Sequence, residues 1–223
     1  MARTFTLFCL LAAAAIFAPT AQGNVIIDVQ RKIASTIEHF LNVTATVTMD
    51  ALKVQAKAEE ELLNVFQDVQ DRIVQLQHDE SKVVCGVRAT NEYKEVVANL
   101  TKGIANCTAS KVSSAKEVVD SVVDLFRRLN ATLEEAEQRI EDCKKNTVAA
   151  IAVACQTQEE AKALQDVLPV VYSSFETLVK VNRFMMSIME GLMNCPKPYM
   201  AAARTAEKQI KGHIDQCVAD LSA

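Results

Sequence analysis

This sequence predicts an all-α fold, an elongated antiparallel bundle of about five helices stapled by disulfides, and three observations carry that expectation. Glycine and proline number only five and four in 223 residues, too few to punctuate a chain of many strands and turns. Apolar residues recur at intervals of three and four along most of the length, the period of one helix face. Cys85 and Cys107 stand 22 positions apart, and Cys195 and Cys217 repeat that interval. Over that distance a helix turns through about 40° more than six circles and rises about 33 Å, so both cysteines of a pair fall near one face. Disulfide partners need Cα atoms within about 7 Å, so neither pair can close on itself within a continuous helix, and the bridges must run to other elements.

Residues 1–23 read as a signal peptide: Arg3 supplies the charge, Phe5 to Ala18 the apolar run, and Ala21 and Gly23 the small residues of a cleavage site. The mature chain is expected to begin at Asn24 and the protein to be secreted and extracellular. Cys9 then leaves with the signal, and the remaining six cysteines favour up to three disulfides over zinc or redox chemistry. Residues 24–80 read as an N-terminal helical segment and residues 81–223 as a disulfide-linked bundle domain.

In the first segment Ile26, Val29, Ile33, Ile37 and Phe40 share a stripe that resumes at Leu62, Phe66, Val69, Ile73 and Leu76. Between them the β-branched run Val43 to Thr48 is expected to bend or break the helix. Cys85, Ala89, Tyr93, Val96, Leu100, Ile104 and Cys107 form a second stripe, with Gly86 and Gly103 weakening its ends. A heptad follows through Val119, Val122, Phe126, Leu129, Leu133, Ala136, Ile140 and Cys143, the pattern of helix-on-helix packing in a bundle or a coiled coil. Thr147 to Cys155 is apolar on nearly all sides and is expected to be central. The next helical region carries Ala161, Leu164, Leu168, Tyr172, Phe175, Val179, Met186, Met189 and Met193, with Pro169 expected to kink it or start a new helix. Cys195-Pro-Lys-Pro-Tyr199 is the firmest break. Beyond it Tyr199, Ala202, Ala206, Ile210, Ile214, Cys217 and Leu221 form the last stripe.

Six cysteines allow fifteen connectivities. An antiparallel arrangement joins Cys85 to Cys217 and Cys107 to Cys195 and leaves Cys143 to Cys155 across a turn near Asn146; a parallel one exchanges the first four partners.

Composition narrows the function by exclusion. The whole chain carries a net charge of −4, and without Arg3 the balance is 23 basic to 28 acidic residues, which argues against a nucleic-acid partner. Beyond the leader no apolar run reaches transmembrane length. His39, His78 and His213 lack metal-ligand spacing, no phosphate-binding glycine loop occurs, and Ser113, Ser114, Ser173 and Ser174 lack the strand-turn-helix setting of a hydrolase nucleophile. Carboxylate clusters such as Glu59-Glu60-Glu61 and Glu134-Glu135 read as solvated helix faces, because consecutive helical side chains diverge by about 100°. The chain is therefore read as no enzyme, with no cofactor. Asn42, Asn99, Asn106 and Asn130 each open an Asn-x-Ser/Thr glycosylation sequon, Asn106 with Cys107 as its middle residue. Phe184, Met185, Met186, Met189 and Met193 form the one run with binding character, either plain core filling beside Cys195 or a pliable apolar surface for a lipid-like ligand.

Asn130-Ala-Thr, Cys143 and Cys155 in amphipathic helix, followed by Cys195, Tyr199 and Cys217, resemble the secreted insect proteins of the tsetse EP-type domain family over about residues 80–220. That resemblance implies a cysteine-containing helical gut or secretory product and carries over no functional residue. The reading is a secreted, non-catalytic helical binding or interaction protein with a protein or apolar small-molecule partner. Its alternatives are an extracellular carrier of apolar molecules or lipids and a self-associating coiled-coil matrix protein, hence a homo-oligomer.

Overall fold

The computed structural model describes residues 25–222, so the signal peptide expected over 1–23 and the mature start at Asn24 lie outside the described residues. The side chains of Ile26, Leu164, Leu168, Tyr172, Ser173, Ser174 and Phe175 lie outside them too. Among the described residues the chain is all-α, with five helices and no strand: α1 (Val25–Val65), α2 (Gln67–Gln77), α3 (Val83–Lys144), α4 (Ala149–Asn194) and α5 (Pro196–Ser222).

Helix continuity exceeds what local propensity suggests. The Val43 to Thr48 stretch does not break α1: Thr44 turns its hydroxyl back to the Phe40 carbonyl at 3.2 Å, and Val47 is buried. Burial of one face outweighs the few tenths of a kcal/mol that β-branched residues cost. The irregularity falls instead at Phe66, whose amide is shared between the Leu62 and Leu63 carbonyls at 3.3 and 3.2 Å while its own carbonyl accepts from Gln70 at 3.0 Å. The two stripes expected around Cys85 and Val119 belong to one 62-residue helix, α3. Pro169 lies inside α4 without ending it; Pro169 and Gln165, whose carbonyl loses its amide partner, are both exposed, so water can satisfy that carbonyl. Pro196 opens α5 at the first helical position, where a missing amide costs least.

The three cysteine pairs stand at disulfide distance in the antiparallel pattern: Cys85 with Cys217 and Cys107 with Cys195 at Cα separations of 5.8 Å, and Cys143 with Cys155 at 5.6 Å. The last bridge closes the turn at Lys145 to Val148, where the Asn146 amide donates to the Cys143 carbonyl at 3.2 Å.

The described residues form two compact units, each assembled from two stretches of chain: 25–45 with 115–187, and 46–114 with 188–222. In the first unit, buried Val29, Ile33 and Phe40 come from α1 and the heptad residues Val119, Val122, Phe126, Leu129, Leu133 and Ala136 from α3. The expectation that Thr147 to Cys155 is central is overturned here: Val148, Ile151 and Val153 are 51%, 52% and 61% exposed. The segment forms a turn and the first turns of α4, with the disulfide holding its base.

In the second unit Leu62, Phe66, Val69, Ile73 and Leu76 share one core with Cys85, Ala89 and Leu100 of α3 and with Ala203, Ile210 and Ile214 of α5. Residues on both sides of position 80 thus contribute to a single hydrophobic cluster. The Tyr93 ring meets Phe66 edge to face at 5.7 Å, and its hydroxyl accepts from Gln70. At the rim Lys211 reaches Asp68 at 2.9 Å, Arg72 pairs with Asp215, and His213 meets Glu92 at 2.9 Å. Two glycines permit close approach. Gly86 lets α3 start against Leu76 and Gln77, whose Cβ and Cγ would lie 3.2 Å from an added Cβ. At Gly103 an added Cβ would fall 2.8 and 2.9 Å from Cζ and Cδ1 of the Tyr199 ring.

Candidate functional site

Helical spacing brings a groove together within the second unit. On α1 the intervals between Val54, Lys57, Ala58 and Glu61 place all four on one stripe, and on α5 Pro196, Met200 and Arg204 recur every four residues beside Lys197 and Ala201. Met193, from the last turn of α4, completes the lining of a space of about 580 Å³. The alanines explain why the space is open: Ala58 is buried and Ala201 bears only a methyl group, so neither stripe fills the gap. Cys195 lies between Met193 and Pro196, and its bridge to Cys107 fixes that end of the groove to α3.

The electrostatics of the groove differ from those of the chain. Three cations and one anion line it, although the whole protein has a net charge of −4. Lys57 and Glu61 stand 3.8 Å apart, one helical turn from each other. Lys197 and Arg204 enter no ion pair among the described residues.

A second, smaller hollow of about 280 Å³ lies in the same unit among Arg72, Gln75, Leu76, Asp79, Lys82 and Ile214. Its most perturbed group is Asp79, held at about 2 by Lys82, whose ammonium donates to Oδ2 at 2.7 Å, and by Ser81, whose hydroxyl and amide donate to Oδ1 at 2.6 and 3.1 Å. This is a turn-capping arrangement at the entrance to α3. Lys211 in the second unit is raised above its ordinary value by Glu207 and then by Asp68, and Glu159 in the first unit is lowered by Lys162 and then by Arg139; both shifts come from ion pairs.

The residues expected to form an apolar ligand surface separate. Met185 is buried, Met189 is half-buried, and Phe184, Met186 and Met193 are 38%, 50% and 66% exposed. The buried stripe of this part of α4 is Val181, Met185, Ile188 and Leu192, with Cys195 buried just past its end, not Val179, Met186, Met189 and Met193. Of the five nominated residues, Met193 alone lines the groove. On α5 the stripe likewise runs through Ala203 rather than Ala202, and Leu221 is 53% exposed.

Asn42, Asn99 and Asn106 are exposed on helices, whereas Asn130 is half-buried and donates from Nδ2 to Glu134 at 2.7 Å. Among the described residues no cluster of three or more histidine, cysteine or carboxylate side chains is arranged to hold a metal, and no helix is long and apolar enough to cross a membrane.

No known protein-family model matches this chain, and no curated protein matches it. The groove residues Ala58, Lys197, Met200, Ala201 and Arg204 were not legible as a site beforehand. The readable signal was faint, small residues on two amphipathic stripes, one of them just after a proline break; the rest depends on which helices lie side by side.

Proposed function

We propose that the protein is a secreted, non-catalytic helical binding protein whose recognition surface is the groove lined by α1, the end of α4 and α5. The observation that carries this reading is the groove itself, about 580 Å³ with an aliphatic floor and an uncompensated cationic edge, in the unit that two disulfides hold together. Its volume falls in the range of small-molecule sites, which are largely preformed and apolar with a few polar groups. The six paired cysteines, the leader sequence and the exposed sequons at Asn42, Asn99 and Asn106 support export through an oxidising compartment. A place among the secreted tsetse EP-type proteins belongs to the same proposal and rests on Asn130, the spacing of Cys143, Cys155, Cys195 and Cys217, and Tyr199.

Export is tested by expressing the full sequence in insect cells and sequencing the protein recovered from the medium. A product beginning at Asn24, heavier by glycan mass that a peptide N-glycosidase removes, is the expected result. Retention inside the cell, or an uncleaved leader, would contradict it.

A specific observation also favours the self-associating alternative. Val148, Ile151 and Val153 expose apolar surface on a segment that has no charged residue from Asn146 to Gln158. Light scattering after size exclusion separates the readings: a monomer supports the carrier form, and an oligomer that Ile151→Gln/Val153→Thr dissolves supports assembly through this segment.

A further inference from the structure

We infer that the groove takes a single-chain anionic amphiphile, its carboxylate held between Lys197 and Arg204 and its hydrocarbon chain laid over Ala58, Met193 and Met200. This rests on the groove being the binding surface and adds the chemistry of the ligand.

Charge decides the head group. Lys57 and Glu61 answer one another across 3.8 Å, which leaves the positive edge to Lys197 and Arg204. Those two are seven residues apart on α5, about two helical turns and 10 Å, so they flank the same stretch of groove from one face. Both are exposed, so neither has been desolvated by the fold, and an arriving anion meets two charged donors without displacing an internal acid. In a protein of net charge −4, a local excess of cations beside apolar surface is complementary to a ligand that is both anionic and apolar.

Side-chain chemistry decides the rest of the ligand. Val54 and Ala58 on α1 and Met193 and Met200 opposite offer aliphatic and thioether surface, with no aromatic ring for a nucleobase to stack on. Methionine pairs pliability with polarizability and suits a flexible chain of variable length. The groove is open along its side, which suits a linear chain lying along it, and its volume suits one chain rather than a two-tailed lipid.

The test is calorimetric titration of the full secreted chain with laurate, dodecanol and dodecyltrimethylammonium, each below its micelle concentration, at low and high salt. Laurate is expected to bind one per chain and about tenfold or more tighter than the other two, with the preference shrinking at high salt. Lys197→Glu/Arg204→Glu is expected to weaken laurate by about tenfold or more and to favour the cationic amphiphile, with the far-ultraviolet circular dichroism and the thermal midpoint unchanged because both positions are exposed. Ala201→Trp, which fills the groove from an exposed position, is expected to abolish binding of all three. Equal binding of laurate and dodecanol, or a laurate affinity indifferent to the double reversal, would overturn the anionic head group; the groove reading then survives if Ala201→Trp still blocks. Failure of laurate to bind, or preference for an acidic amphipathic peptide over it, also overturns the inference. The groove reading falls separately, if Ala201→Trp leaves untouched every ligand that the unmodified chain binds.

Discussion

Gly103 and Gly212 show how the same residue in the same secondary structure can have opposite consequences. Both lie inside helices, where glycine costs about 1 kcal/mol relative to alanine. An added Cβ at Gly212 meets nothing within 4 Å, so Gly212→Ala should stabilise the protein by about 0.5–1 kcal/mol. At Gly103 the same methyl group enters the Tyr199 ring, and overpacking of about 1–3 kcal/mol exceeds the propensity gain, so Gly103→Ala should destabilise by about 1 kcal/mol. Urea unfolding of the two variants beside the parent chain checks both signs. Gly103 reads in the sequence as a weakness in a helix, because Tyr199, 96 positions away, is what gives it a role. Asp79 is the other residue with a distinct physical signature. Its carboxyl lies at about 2 against an ordinary 3.8, chiefly through Lys82 and then Ser81, so what it contributes to stability is present above about pH 4 and is lost as pH falls through about 2. A carbon-detected magnetic resonance titration should find that midpoint, and Lys82→Met should move it up towards 3.8 while leaving the turn at Asp79 to Ser81 in place.

At the scale of the helix, period was legible and phase less so. The heptad from Val119 to Cys143 was readable because Glu134, Glu135, Arg139 and Asp142 mark its wet face unambiguously, and nearly every position of it is buried. Around Phe184 to Met193 the polar face is thin, Arg183, Ser187, Glu190 and Asn194, and it lies opposite buried Met185, Ile188 and Leu192; the stripe of Met186, Met189 and Met193 follows the methionines instead and falls one residue away. The corrected register predicts a contrast between neighbours: Met185→Ala should cost about 2–3 kcal/mol and Met186→Ala less than about 0.5 kcal/mol, measured by chemical unfolding. Thr147 to Cys155 failed for a different reason. A run without charges looks central, yet its neighbours Lys144 and Lys145 end one helix, and the closure of Cys143 on Cys155 turns the chain back there. Neither the Val43 to Thr48 run nor Pro169 ends its helix, since Val47 is buried on α1 and Pro169 and Gln165 are exposed on α4.

For the molecule as a whole, the equal 22-residue intervals limited the cysteine pairing, and the antiparallel choice between Cys85 to Cys107 and Cys195 to Cys217 is the one adopted. Non-reducing peptide mapping should yield three linked pairs, 85 with 217, 107 with 195 and 143 with 155. Removing the second bridge by Cys107→Ser/Cys195→Ser should cost about 4 kcal/mol in the chain-entropy account, because with Cys85 to Cys217 intact it closes a circuit of two 22-residue stretches, and should weaken whatever the neighbouring groove binds. By itself the sequence determined the helical class, the faces of the strongly amphipathic segments and the short menu of disulfides, since all three follow from local spacing and from the absence of glycine and proline punctuation. Only the tertiary structure decided that Leu62 to Leu76 share a core with α3 and α5, that the Thr147 to Cys155 segment is exposed, and that Ala58 and Ala201 leave a cation-edged groove open. The physical reason is that a groove is a missing contact between stripes far apart in the chain, and periodicity reports which face a helix buries but not which helix it lies against.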